Sequence, residues 1–84
     1  NEMRKYLIVI EEAGSNFSAF CPDLPGCVAT GKTRAEASRN LREAITLHLN
    51  GLRQDGFKPP APHSFAGYVL VKTGRPARAA AARS

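Results

Sequence analysis

The side chains with chemical reach in this chain are two cysteines, Cys21 and Cys27, two histidines, His48 and His63, and the carboxylates Glu11, Glu12, Asp23 and Asp55. A structural zinc site takes four ligands in closely spaced pairs. The separation of Cys21 from Cys27, with both histidines far downstream, matches no such pattern. The thiols read as reduced core residues of a reducing compartment, with a disulfide across the intervening turn as the geometric alternative. Two-metal phosphoryl chemistry needs carboxylates converging on ions about 3.5–4 Å apart. Here the acids fall at a strand end, a loop tip and a helix end, and no spacing forces them together. A general base needs a partner within hydrogen-bond reach. His48 lies on the apolar stripe of a helix and reads as a core or edge residue, and His63 sits exposed in a proline-rich connector. The expectation is no catalytic residue, no metal and no cofactor.

One spacing does imitate a known site. Gly26, four intervening residues, then Gly31-Lys32-Thr33 fits the count of a phosphate-binding loop. That loop must offer a run of free amide donors between a strand and a helix. Residues 27–30 are apolar and read as a strand, so the setting is wrong for the motif.

The stretch 20–31, Phe-Cys-Pro-Asp-Leu-Pro-Gly-Cys-Val-Ala-Thr-Gly, is the most informative in the chain. Pro22 and Pro25 fix their own φ and push Cys21 and Leu24 towards extended geometry. Asp23 can accept from nearby backbone, and Gly26 can take a positive φ without steric cost. A rigid turn follows, expected to present Asp23 and Leu24 outward. Pro22, Asp23, Leu24, Pro25 and Gly26 are therefore the candidate partner-binding residues.

The elements around that turn read clearly. Residues 5–11 are β-branched and aromatic, with Tyr6, Ile8 and Ile10 on one face and Leu7 and Val9 on the other, the signature of a central strand covered on both sides. Residues 12–16 form a turn and 17–21 a second strand, making a hairpin. A third strand, 27–30, follows the proline turn. Thr33-Arg34-Ala35-Glu36 is a capping box, in which the threonine hydroxyl accepts from the glutamate amide and the carboxylate reaches back. Ala37, Leu41, Ile45, His48 and Leu52, widened by Ala44 and Leu49, make the helix's apolar stripe. Gly51 is a candidate early end before Gly56. Residues 57–63 form an extended proline-rich connector, 65–71 a last strand, and 74–84 a flexible arginine/alanine tail. The order gives an α+β domain, βββαβ: a three-stranded antiparallel sheet, one main helix and a further C-terminal strand.

Size and charge narrow the function. Eighty-four residues with 43% hydrophobic and 23% charged side chains make one small globular domain, 3–73, for which oligomerisation is an expected source of stability. The net charge of +5 is concentrated at one end. Arg75, Arg78 and Arg83 supply three units, and residues 1–73 hold nine basic and seven acidic side chains, leaving +2. That mixed surface argues against a phosphate-binding face. The basic tail leaves weak nucleic-acid binding as an alternative. No apolar run approaches the roughly 20 residues that span a bilayer. Together with the lack of a signal-peptide pattern, this gives a cytoplasmic expectation.

The combination of Tyr6-Leu-Ile-Val-Ile-Glu, Phe17-Ser-Ala-Phe, Pro22-Asp-Leu-Pro-Gly-Cys-Val-Ala-Thr-Gly-Lys-Thr, Glu36-Ala and Asn40-Leu-Arg-Glu-Ala-Ile resembles the HicB-like antitoxins of bacterial toxin–antitoxin pairs, from about residue 6 to residue 62. The resemblance implies a partial ribonuclease H-like βββαβ core. It also implies a binding module rather than an enzyme, with a HicA-like, mRNA-cleaving toxin as partner, neutralised by protein–protein docking that covers its catalytic histidine. Many members of the family carry a C-terminal DNA-binding domain. The short arginine/alanine tail here does not match one, which leaves operator binding an open question. An unpartnered oligomeric HicB-like module is the alternative reading.

Overall fold

The computed structural model describes residues 3–74. Strands β1 (Val9–Ala13), β2 (Asn16–Phe20) and β3 (Val28–Gly31) form an antiparallel meander in the order β1-β2-β3, and helix α1 (Arg34–Gln54) follows. Val9 faces Phe20 and Ala13 faces Asn16 across the first pair, and Phe20 faces Val28 across the second. The hairpin turns on Gly14, whose φ is 65°. The α+β class expected from the sequence is the observed one.

α1 starts where the capping box places it. Thr33 Oγ1 accepts from the Glu36 amide at 3.0 Å. The returning Glu36 carboxylate accepts from Lys32 N at 2.6 Å, one residue further back than the usual box, so it ties the chain just ahead of the N-cap to the first turn of the helix. Gly51 does not end the helix, which runs on to Gln54. The stop comes from Gly56, at φ 85°.

α1 lies against β3 and β2 and touches β1 least. Ala37 and Leu41 are buried against Ala19, Cys21, Leu24 and Cys27 to form the core, with Ile8, Ile10, Phe17, Ala29, Ile45 and Leu49 packed around it. The close approach depends on Gly31. A Cβ there would stand 2.8 Å from the Glu36 carbonyl carbon and 2.9 Å from Ala37 Cα, distances that backbone cannot accommodate without moving.

Three expectations are corrected. First, His48 is exposed, although Ile45 before it and Leu49 after it pack against the core: the row that meets the sheet steps by four, through Ala37, Leu41, Ile45 and Leu49, and leaves His48 to one side. Second, the strand expected at 5–11 joins the ladder only from Val9, because β2 ends at Phe20 and Pro22 beyond it has no N–H to offer. β1 is also an edge strand among the described residues, not a central one. Third, 65–71 pairs with nothing described and forms no strand, with Phe65 92% and Leu70 102% exposed. The arginine/alanine tail lies outside the described residues from position 75 onward.

Candidate functional site

The proline turn is closed by its own backbone. Cys21 N donates to Cys27 O at 3.3 Å, Leu24 N to Cys21 O at 3.1 Å and Cys27 N to Leu24 O at 3.1 Å, so the two cysteines continue the β2–β3 pairing one step past the ladder. Gly26 takes the positive φ, 92°, that closes the loop. Cys21 and Cys27 are both buried and both free thiols. Burial pushes the Cys27 thiol up, with its neighbour Cys21 adding to the effect, which keeps it protonated and unreactive.

The structure splits the five residues expected to face a partner. Pro22, Pro25 and Gly26 are exposed, as a docking surface requires. The expected outward display of Asp23 and Leu24 is corrected. Leu24 has no exposed surface and Asp23 keeps 5%. Leu24 points into the core, and Asp23 lies under the connector.

Asp23 is buried because it has a partner 40 residues away. One carboxylate oxygen, Oδ2, accepts from His63 N at 2.9 Å and from Ser64 N at 3.1 Å. The other, Oδ1, accepts from the Ser64 hydroxyl at 2.6 Å and lies 3.3 Å from His63 Nδ1. The Ser64 hydroxyl does most to hold the Asp23 carboxyl below its ordinary 3.8, followed by the His63 amide. Burial opposes them, and the Ser64 amide and the His63 ring add smaller shifts downward. Upstream, the connector is held by Pro60 O, which accepts from the Tyr6 hydroxyl and from Arg4 Nη1. The carboxylate therefore works as a latch that ties the connector to the turn. No motif announces it, since its two halves lie on opposite sides of the helix in sequence.

Aspartate, histidine and serine together invite comparison with a hydrolytic triad, and the geometry declines it. A triad interposes the imidazole between hydroxyl and carboxylate. Here Ser64 and His63 are sequence neighbours that both bond to the same carboxylate, and the hydroxyl spends its proton on Asp23. The phosphate-loop spacing also fails on geometry: 28–31 is strand, Gly31 is packed against the helix backbone, and Glu36 holds the Lys32 amide. Among the described residues no three His, Cys, Asp or Glu side chains gather where they could hold an ion. Nor is any described helix long and apolar enough to cross a membrane.

The exposed prolines border an apolar row. Side chains alternate across a strand, and Ile8, Ile10, Ala19 and Ala29 face α1. Leu7, Val9, Phe20 and Val28 consequently lie on the helix-free face. Val9, Phe20 and Val28 are cross-strand neighbours at the turn end of the sheet, and Val28 is 63% exposed.

Residues 6–73 match the family of HicB-like antitoxins of bacterial toxin–antitoxin systems. The chain belongs to this family. Among curated relatives it is 34% identical over 64 residues to an uncharacterized 14.9 kDa protein from the rep-hol intergenic region of Haemophilus phage HP1, covering 76% of this chain and 48% of the phage protein. It is 49% identical over 47 residues to a UPF0150 protein of Helicobacter pylori, covering 56% and 65% of the two chains. A UPF0150 protein of Thermoplasma acidophilum is 33% identical over 58 residues, 69% of this chain and 84% of that one. The chain thus spans about half of the phage protein and under two thirds of the Helicobacter one. No solved structure matches it.

Proposed function

We propose that this HicB-like chain is an antitoxin module that neutralises a small HicA-like, mRNA-cleaving toxin by docking onto it, without making or breaking covalent bonds itself. The family match carries the reading, because residues 6–73 take in the sheet, the turn, the helix and the connector together. The three strands and helix fit a partial ribonuclease H-like unit in this reading.

The site supports binding on physical grounds. The turn is fixed by two prolines, three backbone hydrogen bonds and the Asp23 latch, so a partner that lands on Pro22, Pro25 and Gly26 orders little on binding. The apolar row of Val9, Phe20 and Val28 beside it offers the desolvated centre that docking energetics favour. Asp23 and Leu24 hold the turn in shape from within and leave contact to their neighbours.

The test uses the full chain and a HicA-like, mRNA-cleaving toxin. Co-purification and loss of RNA cleavage on mixing are expected, with Val28→Asp weakening inhibition while the circular dichroism spectrum is retained. Unchanged RNA cleavage at saturating antitoxin would remove the proposal.

A further inference from the structure

Three observations point at one missing element. The first is β1, whose sequence carries apolar residues on both faces like a central strand, yet which pairs only with β2. The second is a groove of about 900 Å³ lined by Tyr6 and Ile8, in the segment that leads into β1, by Ile45 and Leu49 of α1, and also by Arg42, Arg53 and Pro59. The third is the segment 65–71. The alternation of a strand would put Tyr68 and Leu70 on one face and Phe65, Val69 and Val71 on the other, and all five are at least 70% exposed. Such a segment, apolar on both sides, suits a strand within a covered sheet and is a liability when left in water.

The segment does not reach the β1 edge of its own molecule. The connector passes Tyr6 at Pro60 and then runs to Asp23, in the turn joining β2 to β3. This path leads away from the free edge of β1, and the latch fixes Ser64 where the arm departs. A second copy has the same empty edge and the same departing arm. Two copies related by a two-fold axis can each satisfy the other, and the exchange then closes with neither a free β1 edge nor an unpaired arm left over. The small core, with six buried apolar residues among the described residues, gives such an exchange a large share of the stability to supply.

We propose that residues 65–71 of one copy add as a fourth strand along the free edge of β1 of a second copy, with Tyr68 and Leu70 entering the groove beneath α1, and that the exchange is reciprocal. This goes beyond toxin neutralisation and holds with no toxin present.

Light scattering of the full chain alone is expected to give twice the chain mass, and hydrogen exchange to show slowed amides across 65–71. A mixture of isotope-labelled and unlabelled chains is expected to show contacts between copies from Leu70 to Ile8 and Ile45. Leu70→Asp places an unpaired carboxylate in the groove and should weaken the dimer by at least about tenfold. The arm contributes nothing to its own body, so helical content should be retained; if that variant unfolds, the wild-type mass and exchange data still decide. A monomer, a dimer whose arm amides exchange freely, or contacts from Leu70 confined to its own copy would each overturn the proposal. So would an arm that becomes protected only when the toxin is added.

Discussion

Leu24→Ala separates a turn held from inside from a turn that displays its leucine. Leu24 is fully buried and one of the two largest side chains with no exposure, the other being Leu41. Truncation removes its packing against the core and leaves a cavity. The surroundings cannot collapse freely, because Pro22, Pro25 and the backbone bonds between Cys21, Leu24 and Cys27 hold the loop in place. Buried Leu→Ala changes cost 2–5 kcal/mol, and a rigid site belongs in the middle or upper part of that range, about 3–4 kcal/mol. For a domain of this size each kcal/mol lowers Tm by roughly 4–8 °C, so a drop of at least about 12 °C is expected. Urea denaturation followed by circular dichroism measures the stability directly, at fixed protein concentration. Pro22→Ala, on the exposed side of the same turn, is the control and should cost less than about 1 kcal/mol. A Leu24→Ala protein of nearly unchanged stability that has lost toxin binding would refute the reasoning and restore Leu24 to the contact surface.

Two glycines make opposite predictions. Gly31→Ala forces a methyl against the backbone of Glu36 and Ala37 and should destabilise by about 2 kcal/mol or more, read from the urea midpoint. Gly51→Ala, inside α1 with open space around the added carbon, should stabilise by roughly 0.5–1 kcal/mol in the same assay. The Asp23 latch sets an acid limit. Its carboxyl is lowered from 3.8 in the folded state, so its contribution is present in full above the unfolded value and is lost as pH falls through the folded one. Wild type should exceed Asp23→Asn in urea midpoint at neutral pH. The gap should close as pH falls below about 4, and a gap independent of pH would show that the carboxylate's charge does not hold the connector.

Local chemistry was legible in the sequence, and anything set by distant contacts was not. Thr33 and Glu36 announced the start of α1 because both halves of the cap lie within one turn. Gly26 and the two prolines announced a fixed turn for the same reason. Whether Asp23 and Leu24 faced in or out was not local. It depended on Ser64 and His63 arriving from beyond the helix, and no periodicity encodes that meeting. His48 sat at helical spacing from Ile45 and was still exposed, because the row that packs steps by four from Ala37 through Leu41 and Ile45 to Leu49 and leaves His48 beside it. The two-sided apolar pattern of β1 misled about the isolated chain, where the strand is an edge. On the strand-exchange account the same pattern describes the assembled pair.

The measurement closest to the central claim is a titration of this chain into a HicA-like, RNA-cleaving toxin at toxin concentrations well above the dissociation constant. Sequestration by docking predicts cleavage that falls in a straight line to zero at a fixed ratio of the two proteins, with every substituted acid and histidine that still folds giving the same endpoint. Inhibition by a small fraction of an equivalent, growing with time and abolished by one side-chain change, would mean that the chain acts by turnover and would contradict the account.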